Sequence, residues 1–279
     1  MSERIVVVIA EPDPVARAVR DAWGDRPATG AFVDGAAIRR LAPGVVILPR
    51  PTLHIHDDDL DARCPASLVD ASTTLVFPSV HRSEQGIACL TVHPLGNLGP
   101  TAEVGGRPAS IVPAAPRLMT DALRRLHDRR IDGWPVTFEA THHGPALDHA
   151  AFFVEIGLAE GELPPAEAVE ALATIIPDLA GDPEDRVAIG VGGGHYAPHF
   201  TDLAIRRRWA FGHLISRHAL DGLTPELATE ILRRTPECAG AVYARAQDLE
   251  ARAGAVLRPR LREGSAPRRG LAPGDPRTG

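Results

Sequence analysis

Two histidine-containing motifs are the features of this sequence best suited to chemistry. The first occupies residues 139–145 and reads Glu-Ala-Thr-His-His-Gly-Pro; the second occupies residues 192–198 and reads Gly-Gly-Gly-His-Tyr-Ala-Pro. Imidazoles need solvent, partners or a metal, because burying their ring nitrogens unpaired is costly. Glycines let the backbone approach a ligand closely. Together the motifs predict one polar, well-shaped site.

The first motif begins in a predicted strand at residues 136–140, which ends at Glu139 and Ala140 and opens into the loop that carries the two histidines. Adjacent side chains of an extended backbone point to opposite faces. We therefore expect His142 and His143 to serve different atoms, one as a ligand or base and the other as a brace of the loop. The alternative is a pair of surface histidines, which the nearby Glu139 and the Gly-Pro turn disfavour.

The glycine-rich motif does not fit a dinucleotide-binding fingerprint, because the position that should hold the last glycine holds His195. It predicts a bend between strand and loop, at which the N–H groups of Gly193 and Gly194 face an anion or oxyanion. A purely conformational bend is the alternative. His199 lies four residues after His195, but the intervening Pro198 argues against a regular helix there, so a zinc clamp of this pair is not expected.

Two further histidines follow predicted strands. His81 comes after a strand at 74–77, and His93 ends the next one, at 88–92. Ten of the 12 histidines fall between His81 and His218, which favours convergence. The stretch His-Ile-His-Asp-Asp-Asp at 54–59 resembles the opening of a metallo-β-lactamase-type metal motif, but its last residue is Asp59 rather than histidine. There we expect a solvated, acidic helix start.

The elements that must position these residues alternate between strand and helix. This alternation predicts an α/β fold, a three-layer mixed sheet with helices on both faces, whose ligands lie beyond the carboxyl ends of the strands. We predict a single α/β catalytic domain over residues 1–258 and a disordered tail rich in Arg, Pro and Gly over residues 259–279. The predicted strands are 5–10, 45–48, 74–77, 88–92, 136–140, 151–156, 187–191, 210–215 and 241–243; the predicted helices are 14–23, 117–130, 165–180, 225–234 and 246–257.

Composition excludes several classes of function. The net charge of −6 argues against a general nucleic-acid-binding protein. All 30 basic residues are arginine, however, and local arginine runs could hold phosphates bidentately. No apolar run reaches the roughly 18 residues of a membrane span, and three widely spaced cysteines form no disulfide or metal framework. We expect a cytoplasmic protein.

Four blocks of sequence resemble the archaeal and plant type of D-aminoacyl-tRNA deacylase. They are residues 79–83; 90–97; 139–145 with 153–157; and 192–198 with 200–202 and 212–213, and their order and spacing agree across roughly residues 5–245. The resemblance implies a fold similar to peptidyl-tRNA hydrolases and nucleoside phosphorylases. It also implies a Zn²⁺ requirement and hydrolysis of the ester that joins a D-amino acid, or mischarged glycine, to the 3′ ribose of tRNA, as a proofreading activity.

Site residues are assigned on this resemblance. The predicted catalytic residues are His142, His143, His195, Glu139 and Glu155, with Glu155 orienting a ligand or binding the substrate α-amino group. The predicted metal ligands are His81, His93 and His142. The predicted substrate contacts are Ser79, Thr141, Gly193, Gly194, Tyr196, Asp202 and His213.

Alternatives stay open at this point. A metal-free route would use His142 or His143 as general base on water. Two rival functions are a nucleoside phosphorylase-like enzyme, with the glycines on phosphate, and a non-catalytic module that binds the tRNA end. The expected partner is aminoacylated tRNA, with no DNA and no membrane, and a monomer is favoured.

Overall fold

The computed structural model describes residues 4–82 and 86–244, together with Leu257. The strands are β1 (Arg4–Ala10), β2 (Ala28–Val33), β3 (Ala36–Ala42), β4 (Val45–Arg50), β5 (Thr73–Arg82), β6 (Cys89–Pro94), β7 (Gly96–Asn97), β8 (Ser110–Ile111), β9 (Val136–Phe138), β10 (Ala150–Leu158), β11 (Arg186–Val191), β12 (Trp209–Ile215) and β13 (Ala241–Tyr243). The helices are α1 (Pro14–Trp23), α2 (Leu60–Arg63), α3 (Pro116–Asp128), α4 (Ala166–Ile175), α5 (Pro198–Arg206) and α6 (Pro225–Arg233), with short 3₁₀ turns at His54–His56, Ile176–Asp178 and Leu220–Gly222.

Eight strands form the main sheet, in the order β2-β3-β4-β1-β5-β10-β6-β9. Strands β4, β1, β5 and β10 are parallel, whereas β6 pairs antiparallel with β10, and β9 runs parallel to β6. A smaller parallel sheet has the order β12-β11-β13. The sheet is therefore mixed, and its direction reverses between β10 and β6.

The two faces of the main sheet have different covers. Side chains alternate along β1: Val7 and its neighbours on one face pack in an apolar cluster with α1, α3, α4 and α5. Val6 and Val8 on the other face join a second cluster, which α2 and the segment around Leu68 cover. The predicted three-layer α/β fold is thus confirmed, with the longer helices on one face. No helix among the described residues is long and apolar enough to cross a bilayer.

Helix α1 begins where the sequence predicts. Asp13 accepts hydrogen bonds of 2.8 Å from the N–H groups of Val15 and Ala16, and Pro14 occupies the first turn, where its missing N–H costs nothing. The same rule explains a wrong prediction. Pro198, which is expected to interrupt a helix, is instead the first residue of α5. His195 precedes that helix, so it shares no helical face with His199, and the rejection of a zinc clamp stands.

Other differences have local causes. The hairpin of β2 and β3 was not predicted. Its strands contain few buried apolar residues, the hairpin lies at the edge of the sheet, and the two strands pair irregularly. Helix α4 ends at Ile175, five residues before the predicted end, because Pro177 turns the chain into a 3₁₀ turn. Apart from Leu257, the predicted helix 246–257 and the predicted tail 259–279 lie outside the described residues.

Candidate active site

Four titratable side chains project from one face of the main sheet. His81 lies on β5, Glu155 on β10 and His93 on β6, and Glu139 directly follows β9. They occupy the alternate strand positions that, earlier along β5 and β10, hold apolar residues of the second cluster: Leu75, Phe77, Ala151 and Phe153. The polar site therefore continues an apolar face, and the ring of His93 stacks on Phe153 at 5.0 Å.

The site lies across this face and not at the predicted edge. Strands β6 and β9 run opposite to β5 and β10, so the carboxyl ends of the two pairs lie at opposite edges of the sheet. Glu139, beyond the end of β9, nonetheless meets His81, near the end of β5, with 3.4 Å between Oε1 and Nδ1. The prediction that the site lies beyond one carboxyl edge of the sheet is wrong, because β6 and β9 run antiparallel to β5 and β10.

Glu139 is the centre of the cluster. Its carboxylate is fully buried, and three imidazoles surround it: His195 Nε2 at 3.0 Å and His142 Nε2 at 3.6 Å from Oε2, and His81 Nδ1 at 3.4 Å from Oε1. These contacts lie at ion-pair distance but off the hydrogen-bonding direction, and neither oxygen has a hydrogen-bond partner among the described residues. A buried carboxylate with unsatisfied oxygens is costly unless charge or a ligand compensates it.

Glu155 forms a second carboxylate centre. Its Oε2 lies 3.4 Å from His81 Nδ1 and 3.4 Å from His93 Nε2. Burial raises the pKa of Glu155, but His93 and His81 outweigh it and hold that pKa well below the usual value. Burial lowers the pKa values of His81 and His93, and the carboxylates of Glu155 and Glu139 outweigh it and raise them. This part of the site favours the charged forms of its groups.

Three imidazoles share one hydrogen-bonding pattern. The Nδ1 atoms of His93, His142 and His143 lie 3.2, 2.8 and 2.7 Å from the backbone oxygens of Pro94, Ala140 and Gly144. A proton on each Nδ1 satisfies those carbonyls and leaves the lone pair on Nε2. The three side chains form one of the groups whose ligand atoms lie within 4.8 Å of one another. Three imidazole nitrogens at this spacing are a donor set that could hold a transition metal.

The backbone at His143 explains how neighbouring histidines face the same place. His143 has a φ of +40°, outside the strand region, so the alternation of an extended chain does not apply. The rings of His142 and His143 lie 4.4 Å apart, and both contact His93. The expectation that their side chains point to opposite faces is wrong for this reason, whereas the assignment of the two rings to different atoms stays a prediction. A Cβ on Gly144 would lie 2.2 Å from the N atom of Gly106, so the turn requires glycine.

The protonation of His142 and His143 differs from that of His93. Burial, together with His93 and the other neighbouring imidazoles, holds the pKa of His142 well below its usual value. Burial and His93 lower the pKa of His143 to about 4. Both side chains are therefore neutral at neutral pH, which is the form that binds a metal.

The glycine motif pairs with the first motif. The N–H of Ala140 donates to the oxygen of His195 at 2.8 Å, and a β-bridge joins Glu139 to Tyr196. The Tyr196 hydroxyl lies 3.1 Å from His81 Nε2. The side chain of His195 is 47% exposed, so an exposed imidazole contacts the buried carboxylate of Glu139. Two segments more than 50 residues apart in sequence thus form one site.

Comparisons with known proteins agree with this geometry. The family model for D-aminoacyl-tRNA deacylase matches residues 69–256. The chain belongs to the D-aminoacyl-tRNA deacylase family.

Several relatives of this family member come from archaea. A D-aminoacyl-tRNA deacylase from Thermoplasma acidophilum is 41% identical over 175 residues, which cover 61% of this chain and 67% of the relative. One from Thermococcus kodakarensis is 39% identical over 203 residues, which cover 71% and 74%. The crystal structure of the conserved protein of unknown function AF0625 superposes with a TM-score of 0.82 at 26% identity, over 92% of this chain and 93% of that one. The sequence-based assignment to the family is confirmed.

Several of the predicted substrate contacts have polar partners outside the cluster. The hydroxyl of Ser79 is buried and donates to Asp13 at 3.2 Å. Thr141 lies 3.2 Å from Nδ1 of the fully buried His213. Asp202 is exposed on α5 and pairs with Arg206 at 3.3 Å. In this family member Ser79, Thr141 and His213 brace the site, and Asp202 faces solvent.

Gly193 and Gly194 lie in the bend that follows β11. The N–H of Gly192 donates to Ile215 at 2.8 Å. The N–H groups of Gly193 and Gly194 have no hydrogen-bond partner elsewhere in the described residues, and a Cβ on Gly193 would meet open space. The bend therefore presents free donors close to His195.

Asp13 is a residue that sequence reasoning missed. Besides capping α1, its carboxylate accepts the N–H of Val80 at 3.0 Å and lies 3.4 Å from His54 Nε2, so it ties the start of α1 to β5. Its position before a proline signalled the cap but not the contacts with β5. His54 itself packs against Phe153 at 5.1 Å.

The structure differs from two sequence-based predictions that concern metal binding. The predicted ligand trio of His81, His93 and His142 is not one of the groups that the described residues form: His81 joins Glu139 and His195, whereas His93 and His142 join His143. The acidic stretch 54–59 is also not a solvated helix start throughout. Asp57 is buried there, with Oδ2 2.7 Å from Nε of the buried Arg50.

His213 gives a prediction about stability. Burial lowers its pKa to about 3, whereas the unfolded chain protonates histidine near 6.5. Below about pH 6.5 the unfolded state binds a proton that the folded state cannot, so His213 should destabilise the fold by about 1.4 kcal/mol per pH unit. In His213→Asn, whose amide keeps the contact with Thr141, the free energy of unfolding in urea should fall less between pH 7.5 and pH 5. Parallel pH dependences in the two proteins would contradict a buried neutral imidazole.

Proposed function

We propose that this chain hydrolyses the ester between a D-amino acid and the 3′-terminal ribose of tRNA, and so removes D-residues before translation. The observation that carries the proposal is the contact of 3.0 Å between the buried Glu139 carboxylate and the exposed His195 imidazole. Membership of the deacylase family supports the substrate class.

The residues suffice for ester hydrolysis. His195 accepts a proton from water as the water attacks the ester carbonyl, and the Glu139 carboxylate stabilises the imidazolium that forms. The N–H groups of Gly193 and Gly194 stabilise the tetrahedral oxyanion, a contribution of about 10²–10³ in rate for each donor in related chemistry. When the carbon–oxygen bond to the ribose breaks, His195 returns the proton to the leaving 3′ oxygen. Because an aminoacyl ester is already activated, no stronger nucleophile is required.

We also propose a zinc site. Nε2 of His93, both oxygens of Glu139 and Oε2 of Glu155 are buried without hydrogen-bond partners, and a divalent cation would compensate them. His93, His142 and His143 would hold it through Nε2, because their Nδ1 atoms face backbone carbonyls. Bound zinc would polarise the ester carbonyl and lower the pKa of water to about 7. His81, Glu139 and His195 form a second acceptable set.

Finer features of the function stay proposals. Aminoacylated tRNA is the partner that the proposed reaction requires, and a cytoplasmic location follows from that substrate. Glycine mischarged on tRNA as a second substrate, and a monomeric enzyme, stay predictions from the sequence.

One assay tests the proposed function. When the protein is incubated with D-tyrosyl-tRNA and L-tyrosyl-tRNA, loss of the D-ester should be faster by roughly 10²-fold or more. The measurement is acid-precipitable label against time, with tRNA alone as the control. Equal rates for the two esters, or tRNA binding without turnover, would refute the proposal; the second result would favour a binding module. Release of free base from nucleosides only when phosphate is present would favour the phosphorylase-like alternative.

A further inference from the structure

An arginine-lined cavity lies at the other end of the face that carries the site. We propose that it binds phosphate groups of the tRNA substrate, at a distance from the esterified 3′ end. The inference rests on the proposed function for the identity of the polyanion. It adds a contact that the catalytic cluster does not supply.

The cavity has about 700 Å³ of space. Arg4, Arg26 and Arg40 line it together with the polar side chains of Thr29 and Ser67, and no Asp or Glu is among its lining residues. We call it the arginine cavity. A concentration of guanidinium groups stands out in a chain whose net charge is −6. Guanidinium is the side chain best suited to bidentate binding of phosphate.

The positive charge of the arginine cavity is largely uncompensated. Arg40 is exposed and forms no ion pair within the described residues. Nε of Arg26 is buried and has no hydrogen-bond partner among the described residues. Of these three arginines, only Arg4 forms an ion pair within the described part of the chain, with Asp70 at 3.8 Å, and it also donates to the backbone oxygen of Ser67 at 2.6 Å. Most surface arginines elsewhere pair with carboxylates, so an anion is the missing partner here.

Geometry connects the arginine cavity to the catalytic cluster. Ile38 and Leu68, which line it, belong to the apolar cluster beneath the catalytic face, so the two sites share one side of the sheet. Arg4 pairs with Thr73 at the start of β5, and His81 lies eight residues further along that strand. At roughly 3.3 Å per residue the two sites are about 26 Å apart. A double-stranded stem that leads away from a bound 3′ end has phosphates at such distances.

The arginine cavity lies outside the segment that the family model matches. Its lining residues fall between Arg4 and Leu68, whereas the match begins at residue 69. The contact is therefore a feature of the amino-terminal part of this chain and not a property that follows from the shared catalytic blocks.

The test compares two charge reversals in the full-length protein. Arg40→Glu changes the arginine cavity, and Arg130→Glu changes an exposed arginine at the end of α3, on the opposite face of the sheet. For Arg40→Glu we expect KM for D-tyrosyl-tRNA to rise about 10-fold with kcat unchanged, and the slope of log Kd against log salt for uncharged tRNA to fall by about 1. Arg26→Gln should act in the same direction. Circular dichroism checks that the variants fold.

A minimal substrate separates this proposal from the proposed function. D-tyrosyl-adenosine carries the ester but no phosphates, so its hydrolysis should be the same in wild type and Arg40→Glu. If the wild type hydrolyses neither substrate while Arg40→Glu still weakens tRNA binding, the proposed function fails and the cavity contact stands. An unchanged Kd and salt slope in Arg40→Glu would overturn the cavity proposal. So would calorimetric binding of inorganic pyrophosphate that Arg40→Glu abolishes without affecting tRNA, because the cavity would then hold a small phosphate ligand.

Discussion

Glu139→Gln should reduce kcat for D-aminoacyl-tRNA by roughly 10³-fold, within the range for a general base and its partner. The amide has the same shape but no charge, so nothing compensates an imidazolium at His195, whose Nε2 lies 3.0 Å from the carboxylate. Because the side chain is fully buried, water cannot replace the lost charge. KM should change little, since the carboxylate lies beneath the imidazoles and out of reach of the tRNA.

The measurement is single-turnover hydrolysis of D-tyrosyl-tRNA by wild type, Glu139→Gln, His195→Ala and the double variant. If the pair acts as a unit, the double variant should be about as slow as the slower single one. Glu170→Gln, an exposed carboxylate on α4, is the matched control and should retain full activity. Losses that multiply in the double variant would show that Glu139 and His195 act independently and would contradict the assigned roles.

Part of this site could be read directly from the sequence. Along β5 and β10 the alternate positions change from apolar to polar, as in Phe77 to His81 and Phe153 to Glu155. The alternation of side chains between the two faces of a strand is a local property, so the sequence reveals which residues share a face. The expected convergence of His81, His142 and His195 is also found: each lies within 3.6 Å of Glu139.

The features of the site that could not be predicted from the sequence depend on contacts between segments far apart in the chain. The direction of β6 relative to β10 decides that His93 meets Glu155, and no local pattern contains that direction. The φ of +40° at His143 is imposed by the loop packed on Gly144. Similarly, the arginine cavity exists because the β2–β3 hairpin, with little apolar alternation, folds beside the start of β1. Tertiary contacts override local preference at each of these places.

His142→Gln should lose the proposed zinc and with it most of the activity. In the wild type we expect about one zinc per chain by elemental analysis, and dialysis against chelator should abolish hydrolysis until zinc is restored. Because a metal that binds only the folded state stabilises it, about 100-fold excess over Kd should add about 2.7 kcal/mol to the free energy of unfolding. In His142→Gln both the zinc content and this stabilisation should fall close to zero, since one of three imidazole ligands is missing.

His127→Gln is the matched control, because this partly exposed imidazole at the end of α3 contacts none of the cluster and should bind zinc normally. Zinc content and stability do not depend on turnover, so they report on the ligands even if the substrate assignment fails. Full activity after exhaustive chelation would favour the metal-free route, in which the Glu139–His195 pair acts alone. The buried atoms of His93, Glu139 and Glu155 have no hydrogen-bond partner among the described residues, and this argues against that outcome, because burial of polar atoms without hydrogen bonds is costly.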